Sequence, residues 1–94
     1  MIIATDFDGT LYDKGNINHG LIAYLKQRQA NGDEVILWSC REGKSLQDAV
    51  RICDGNGLRF NAVNCNTPAG LKKLGHNSRK VYADMYIDDK AVKP

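Results

Sequence analysis

The chain opens Met1-Ile2-Ile3-Ala4-Thr5-Asp6-Phe7-Asp8-Gly9-Thr10: an apolar, β-branched run that ends in two carboxylates two residues apart. Residues i and i+2 of an extended segment share a face, so Asp6 and Asp8 can serve one site. Neighbouring carboxylates coexist by binding a cation or by keeping one of the pair protonated. Polar groups of matching kind follow two later apolar runs: Ser39 after Val35-Ile36-Leu37-Trp38, and Asp88-Asp89 after Val81–Ile87. If these runs are parallel strands, all three ends lie on one sheet edge, the place where open α/β sheets bind ligands. Four acids in one crevice need counter-charge. Mg²⁺ held by carboxylates and a substrate phosphate is the common solution.

The elements that must position these groups alternate strand and helix. Residues 1–6 read as a buried strand. Asn18 is placed to cap a helix over about 19–31, with Leu21, Ile22 and Leu25 toward the sheet and Gly32 as its stop. Residues 34–39 form a second buried strand, apolar enough for a parallel interior. Leu46, Ala49, Val50 and Cys53 make an i, i+3, i+4, i+7 stripe on a second helix over about 44–54, ended by Gly55 and Gly57. A short strand near 59–63, a weaker helical segment after Pro68, and a last strand from Val81 to Ile87 complete the order. Right-handed crossovers then give an α/β fold: a three-layer, Rossmann-like parallel sheet of about four strands with flanking helices. Nothing in the sequence reads as a repeat or a linker, so residues 1–94 read as a single domain.

The D-x-D-G-T string, the Trp38-Ser39-Cys40-Arg41-Glu42-Gly43 segment and the Ala83-Asp84-Met85-Tyr86-Ile87-Asp88-Asp89 ending, in that order, resemble the haloacid dehalogenase-like (HAD) phosphohydrolases. The likeness is to their small, capless members and spans positions 6 to 89. It implies a Mg²⁺-dependent phosphatase. Asp6 would be the nucleophile that forms an aspartyl-phosphate, and Asp8 the general acid and then base. Gly9 would permit the tight turn, and Thr10 would steady it through its hydroxyl. Ser39 would donate to a phosphoryl oxygen, with Cys40 and Arg41 beside it as substrate contacts; the guanidinium fork matches phosphate. Asp88 with Asp89 would complete the Mg²⁺ site with the Asp6 carboxylate and the Asp8 carbonyl. A cation that holds the phosphate falls to Lys80, with Arg79, Lys72 and Lys73 behind it.

Other residues have plainer readings. Trp38 packs in the core or lines the pocket, and Tyr12, in the loop over the first strand end, is the better substrate-side candidate. Asp84 is structural, and Cys53 is a small core residue. His19 and His76 have no partners at metal spacing.

The chain departs from the pattern it resembles in two ways. Only Leu11 to Asn18 separate the first motif from the first helix, and 63–79 is too short for a folded cap, so the site should be open under a small 11–18 flap. Asp88-Asp89 lies five residues before Pro94, which leaves the last strand at a possible edge. The chain is then naturally minimal, paired with another copy as a homo-oligomer, or shortened.

Composition bounds the partners. Thirteen basic and eleven acidic residues leave a net charge of +2, so charge gives no support for nucleic acid. No apolar run approaches the ~18 residues that cross a bilayer, and no leader is visible, so no membrane partner is expected. Three cysteines without metal spacing fit a reducing cytoplasm. The expected substrate is a phosphorylated small molecule or a phosphorylated macromolecule end. Three alternatives stand. One is a weakly active or non-catalytic module that binds a phosphorylated partner. Another is a nucleotidase or polynucleotide-end phosphatase. The third, a phosphotransfer receiver, is disfavoured because no aspartate ends the third strand.

Overall fold

The computed structural model describes residues 1–74, 81–88 and 92–93. In chain order the elements are β1 (Ile2–Thr5), β2 (Tyr12–Asp13), β3 (Asn16–Ile17), α1 (His19–Ala30), β4 (Glu34–Leu37) and α2 (Gly43–Gly55). Then come β5 (Ala62–Val63), α3 (Pro68–Leu74), β6 (Met85–Ile87) and β7 (Val92–Lys93). The main sheet runs β5-β4-β1-β6-β7, with the first four strands parallel and β7 antiparallel to β6. The α/β Rossmann-like architecture expected from the sequence is therefore present, with one added strand. β6 is not the edge; β7 covers it, pairing Tyr86 with Lys93 and Ile87 with Val92.

The chain moves from β1 to β4 to β5 in one direction along the sheet, then returns past β1 to form β6. Strand order reverses between β1 and β6, and this switch point is where the crevice of an open α/β sheet lies. Alternation along β1 and β4 separates two cores. Ile3, Val35 and Leu37 face α1 and α2, meeting Ile22, Leu25, Ala49 and Cys53. Ile2, Ala4 and Ile36 face the other way and pack with Val81, Tyr82, Ala83 and Tyr86.

Both helices on the first face end in the same device. After α1, Gly32 (φ +96°) donates to the Gln29 carbonyl and Asp33 to that of Arg28. After α2, Gly57 (φ +85°) donates to Asp54 and Leu58 to Cys53. These paired bonds satisfy the last carbonyls and need a left-handed residue, which glycine supplies. At the other end of α1, Asn18 Oδ1 accepts from the Leu21 N–H, the cap read from the sequence.

The elements differ from expectation in several places. The strand near 59–63 contracts to Ala62–Val63, and the last strand starts at Met85, not Val81. The 11–18 loop is a hairpin of β2 and β3, turned through Lys14 (φ +51°) and Gly15 (φ +82°). A two-residue turn with both φ values positive matches the right-handed twist of the strands it joins. Asp84 is structural, as read: its carboxylate accepts from the Ile2 N–H and the Tyr82 hydroxyl.

Candidate active site

Strand register brings the polar ends together. Thr5 pairs with Leu37 on one side and Ile87 on the other, so Asp6 follows β1 between Trp38 and Asp88. The Asp6 N–H donates to the Ile87 carbonyl, and the Trp38 N–H to that of Thr5, which extends the ladder to these residues. A cavity of about 520 Å³ opens there, lined by Asp6, Trp38, Ser39, Cys40 and Asp88 over a floor that includes Ala4, Val81 and Tyr86. A hollow of similar size, about 510 Å³, lies by α2 and the 58–63 segment. Its lining carries one carboxylate, Asp54, beside Arg51 and Arg59, so the kind of group rather than size separates the two.

Ser39 is held for donation. Its hydroxyl oxygen accepts from the Arg41 N–H at 3.1 Å, which leaves the O–H hydrogen available to a phosphoryl oxygen. Its own N–H donates to Asn64 Oδ1 at 2.7 Å, and the Asn64 N–H donates to the Leu37 carbonyl at 2.7 Å. Asn64 sits at φ +52°, a conformation asparagine tolerates better than most residues. Sequence reasoning missed it. The only signal was an asparagine directly after an apolar pair, next to a strand end.

Asp8 and Arg41 are not placed as expected. The chain coils after Asp6: the Phe7 carbonyl accepts from the N–H groups of Thr10, Leu11 and Tyr12, with Gly9 at φ +80°. Phe7 and Leu11, fully buried, anchor this coil. Extended geometry thus stops at Asp6, and the Asp8 carboxylate does not line the cavity. It is held by Arg41 through two bonds, Nη2 to Oδ1 at 2.7 Å and Nε to Oδ2 at 2.9 Å. The guanidinium also lies 4.7 Å from the centre of the Phe7 ring, and Phe7 stacks on Tyr12 at 5.2 Å. Arg41, Phe7 and Tyr12 form a column, so Tyr12 is a packing residue instead of a substrate-side one. The hydrogen bonds from Arg41 hold the Asp8 carboxyl below its usual range, and the same bonds raise Arg41.

Gly9 and Thr10 also stand apart from the Asp6 cavity. Gly9 makes the turn expected of it. The Thr10 hydroxyl does not steady the turn: it is buried and finds no hydrogen-bond partner among the described residues. Trp38 is 38% exposed at the cavity wall, not in the core. Lys72 is exposed on α3 and does not line the cavity. Lys80, Asp89, Arg79 and His76 lie outside the described residues.

Among the described residues no three His, Cys, Asp or Glu side chains gather as a metal cage. The cavity does present two carboxylates, Asp6 and Asp88, on adjacent strand ends. That donor set fits Mg²⁺, which takes one or two carboxylates and fills its remaining positions with water and phosphate oxygens.

No protein-family model matches the chain, and no curated protein does. Among solved structures, the fold is similar to that of a conserved protein from Bacteroides thetaiotaomicron, with a TM-score of 0.82. The two sequences are 38% identical, and the match covers 97% of this chain and 77% of that one.

Proposed function

We propose that this chain, which belongs to the same family as the conserved Bacteroides thetaiotaomicron protein, is a Mg²⁺-dependent phosphatase acting on a phosphate monoester. The observation that carries this reading is the convergence of Asp6, Ser39 and Asp88 on one cavity at the β1/β6 switch point. The motif resemblance of residues 6–10, 38–43 and 83–89 to HAD phosphohydrolases supports it independently.

An Asp6 carboxylate oxygen bonds to phosphorus as the P–O ester bond breaks, and the leaving alkoxide takes its proton from Asp8, which recovers one from the attacking water. Water then attacks phosphorus, the aspartyl P–O bond breaks, and inorganic phosphate departs. Ser39 donates to a phosphoryl oxygen throughout. Asp6 and Asp88 would hold Mg²⁺, whose charge offsets that of nucleophile and phosphate. Asp8 is ionised beside Arg41 and outside the cavity lining, so its release by Arg41 must precede any proton transfer with the site. Protonating the leaving group calls for the opposite form, which the Arg41 fork opposes. Transfer of the guanidinium from Asp8 to a pair of phosphate oxygens resolves that conflict.

In this reading the protein works in the cytoplasm, which suits three free thiols. No helix among the described residues is long and apolar enough to cross a membrane. The test is phosphate release from aryl, nucleotide, sugar and oligonucleotide-end phosphates, by wild type and Asp6→Asn, each with Mg²⁺ and with chelator. Turnover that requires both Mg²⁺ and Asp6 is the expected result. A folded wild type that releases no phosphate from any of them overturns the proposal and leaves a phosphate-binding module.

A further inference from the structure

The cavity that holds Asp6 has an uncommon wall. Trp38 is the only tryptophan of the chain, and it stands 38% exposed there. A tryptophan that keeps its ring open to a concave site forgoes a large burial gain, which an interior position would provide. Alternation accounts for its direction. Ile36 packs on the Ile2–Ala4 face, so Trp38, two residues on, projects to that face from the end of β4, and Asp6 does so from the end of β1. Adjacent strands lie about 4.8 Å apart, so the backbones that carry the ring and the carboxylate are neighbours across one strand spacing. Tyr86, from β6, adds a second ring to the lining, and Ala4, Thr5, Val81 and Ile87 supply a mostly apolar floor. The volume, about 520 Å³, is within the range of about 300–1,000 Å³ that accommodates small organic ligands.

Resting on the phosphatase reading, we infer that Trp38 is a stacking platform for a planar ring on the leaving group, and that the substrate class is nucleoside monophosphates. A base lying on the indole places its sugar over the cavity floor and its phosphate against Asp6 and Ser39. Stacking reads every base through its π-face, so the platform selects a ring over an alkyl chain without selecting one base strongly. The described lining offers few other groups from which to draw binding energy, which gives this ring its weight in selectivity.

Trp38 reports on its own site, because red-edge excitation isolates its emission from that of the tyrosines. Asp6→Asn protein with Mg²⁺ is titrated with adenosine 5′-monophosphate, and separately with glycerol phosphate. The expected result is saturable quenching by the nucleotide and none by glycerol phosphate at equal concentration. In the otherwise wild-type enzyme, Trp38→Leu should lower the ratio of kcat/KM for the nucleotide over glycerol phosphate about tenfold, and Trp38→Phe should restore most of it. Equal kcat/KM for the two substrates in wild type, or equal losses on both in Trp38→Leu, would overturn the assignment. Absence of quenching also overturns it. If nothing is hydrolysed yet the nucleotide still quenches, the phosphatase reading fails and the ring site stands.

Discussion

The Asp8–Arg41 pair is the structure's most specific claim about the site, and it can be measured without any substrate. The carboxylate side chain is 56% exposed and that of Arg41 23%. Coulomb attraction between unit charges ~4 Å apart is about 1 kcal/mol in water and about 4 kcal/mol at an effective dielectric of ~20. The exposure of Asp8 puts the pair near the first limit. Exposed pairs measure about 0.2–1 kcal/mol, and two-pronged geometry argues for the upper half, about 0.5–1 kcal/mol. Arg41 also caps the Phe7 ring, a contact worth about 0.5–1 kcal/mol that Asp8 does not share. Arg41→Gln should therefore cost about 1–2 kcal/mol and Asp8→Asn about 0.5–1 kcal/mol. Once Arg41→Gln is in place, Asp8→Asn should cost almost nothing more. Urea unfolding of the four proteins gives the coupling as the failure of additivity. It should shrink at 1 M salt, where the screening length falls to about 3 Å. The sign with pH follows from the lowered carboxyl. The pair's contribution is complete above the unfolded value of 3.8 and is lost as pH falls through the folded one. Additive single and double variants, with a coupling below about 0.2 kcal/mol, would refute the pairing.

Three shorter expectations share the same cavity edge and core. At Asn64 (φ +52°), glycine keeps the backbone and loses only the acceptor for the Ser39 N–H, whereas alanine loses both. Asn64→Ala should then be less stable than Asn64→Gly by about 1 kcal/mol in denaturant melts, and equal melts would remove the strain argument. Thr10→Val replaces a buried hydroxyl that makes no bond with a methyl group of like shape, so its melting temperature should hold or rise; a clear drop would mean the hydroxyl has a partner. A chromogenic disulfide should label Cys40 and Cys65 quickly in the folded protein and Cys53 only on unfolding, because burial raises that thiol from 9.0 to about 11. The same shift makes stability fall above pH 9, where the unfolded chain ionises and the folded one does not; a flat profile from pH 8 to 10 would count against it.

The parts of the fold legible in the sequence are those whose signals are local and redundant. The stripe of Leu46, Ala49, Val50 and Cys53 needs only helical periodicity and a core, and both are present. Asn18 and Gly32 bound α1 because a cap and a left-handed stop are chemical requirements of a helix end. The β2–β3 hairpin was missed because its strands are two residues each, too short to show alternation. Lys14-Gly15 was the available cue. β7 was missed for a similar reason. Val92–Lys93 forms a strand only because β6 offers an unpaired edge, and an edge is a property of the sheet, not of those two residues.

The site divides along the same line. Asp6, Ser39 and Asp88 were legible because each lies just past a strand end, and the register of parallel neighbours brings strand ends together whatever the loops do. Placing Asp8 in the crevice assumes that the chain stays extended beyond Asp6. The chain coils there instead, and burying an aromatic side chain is worth about 1.5–3 kcal/mol. The coil seats Phe7 and Leu11 in the core and turns Asp8 outward to Arg41. Trp38 is the converse case: its hydrophobicity alone argues for the interior, and its position one residue past β4 overrides that. A residue at a strand end is buried or exposed according to whether the crevice beside it is filled. The aromatic left uncovered at such an end is therefore the one to test with a ring-bearing phosphate.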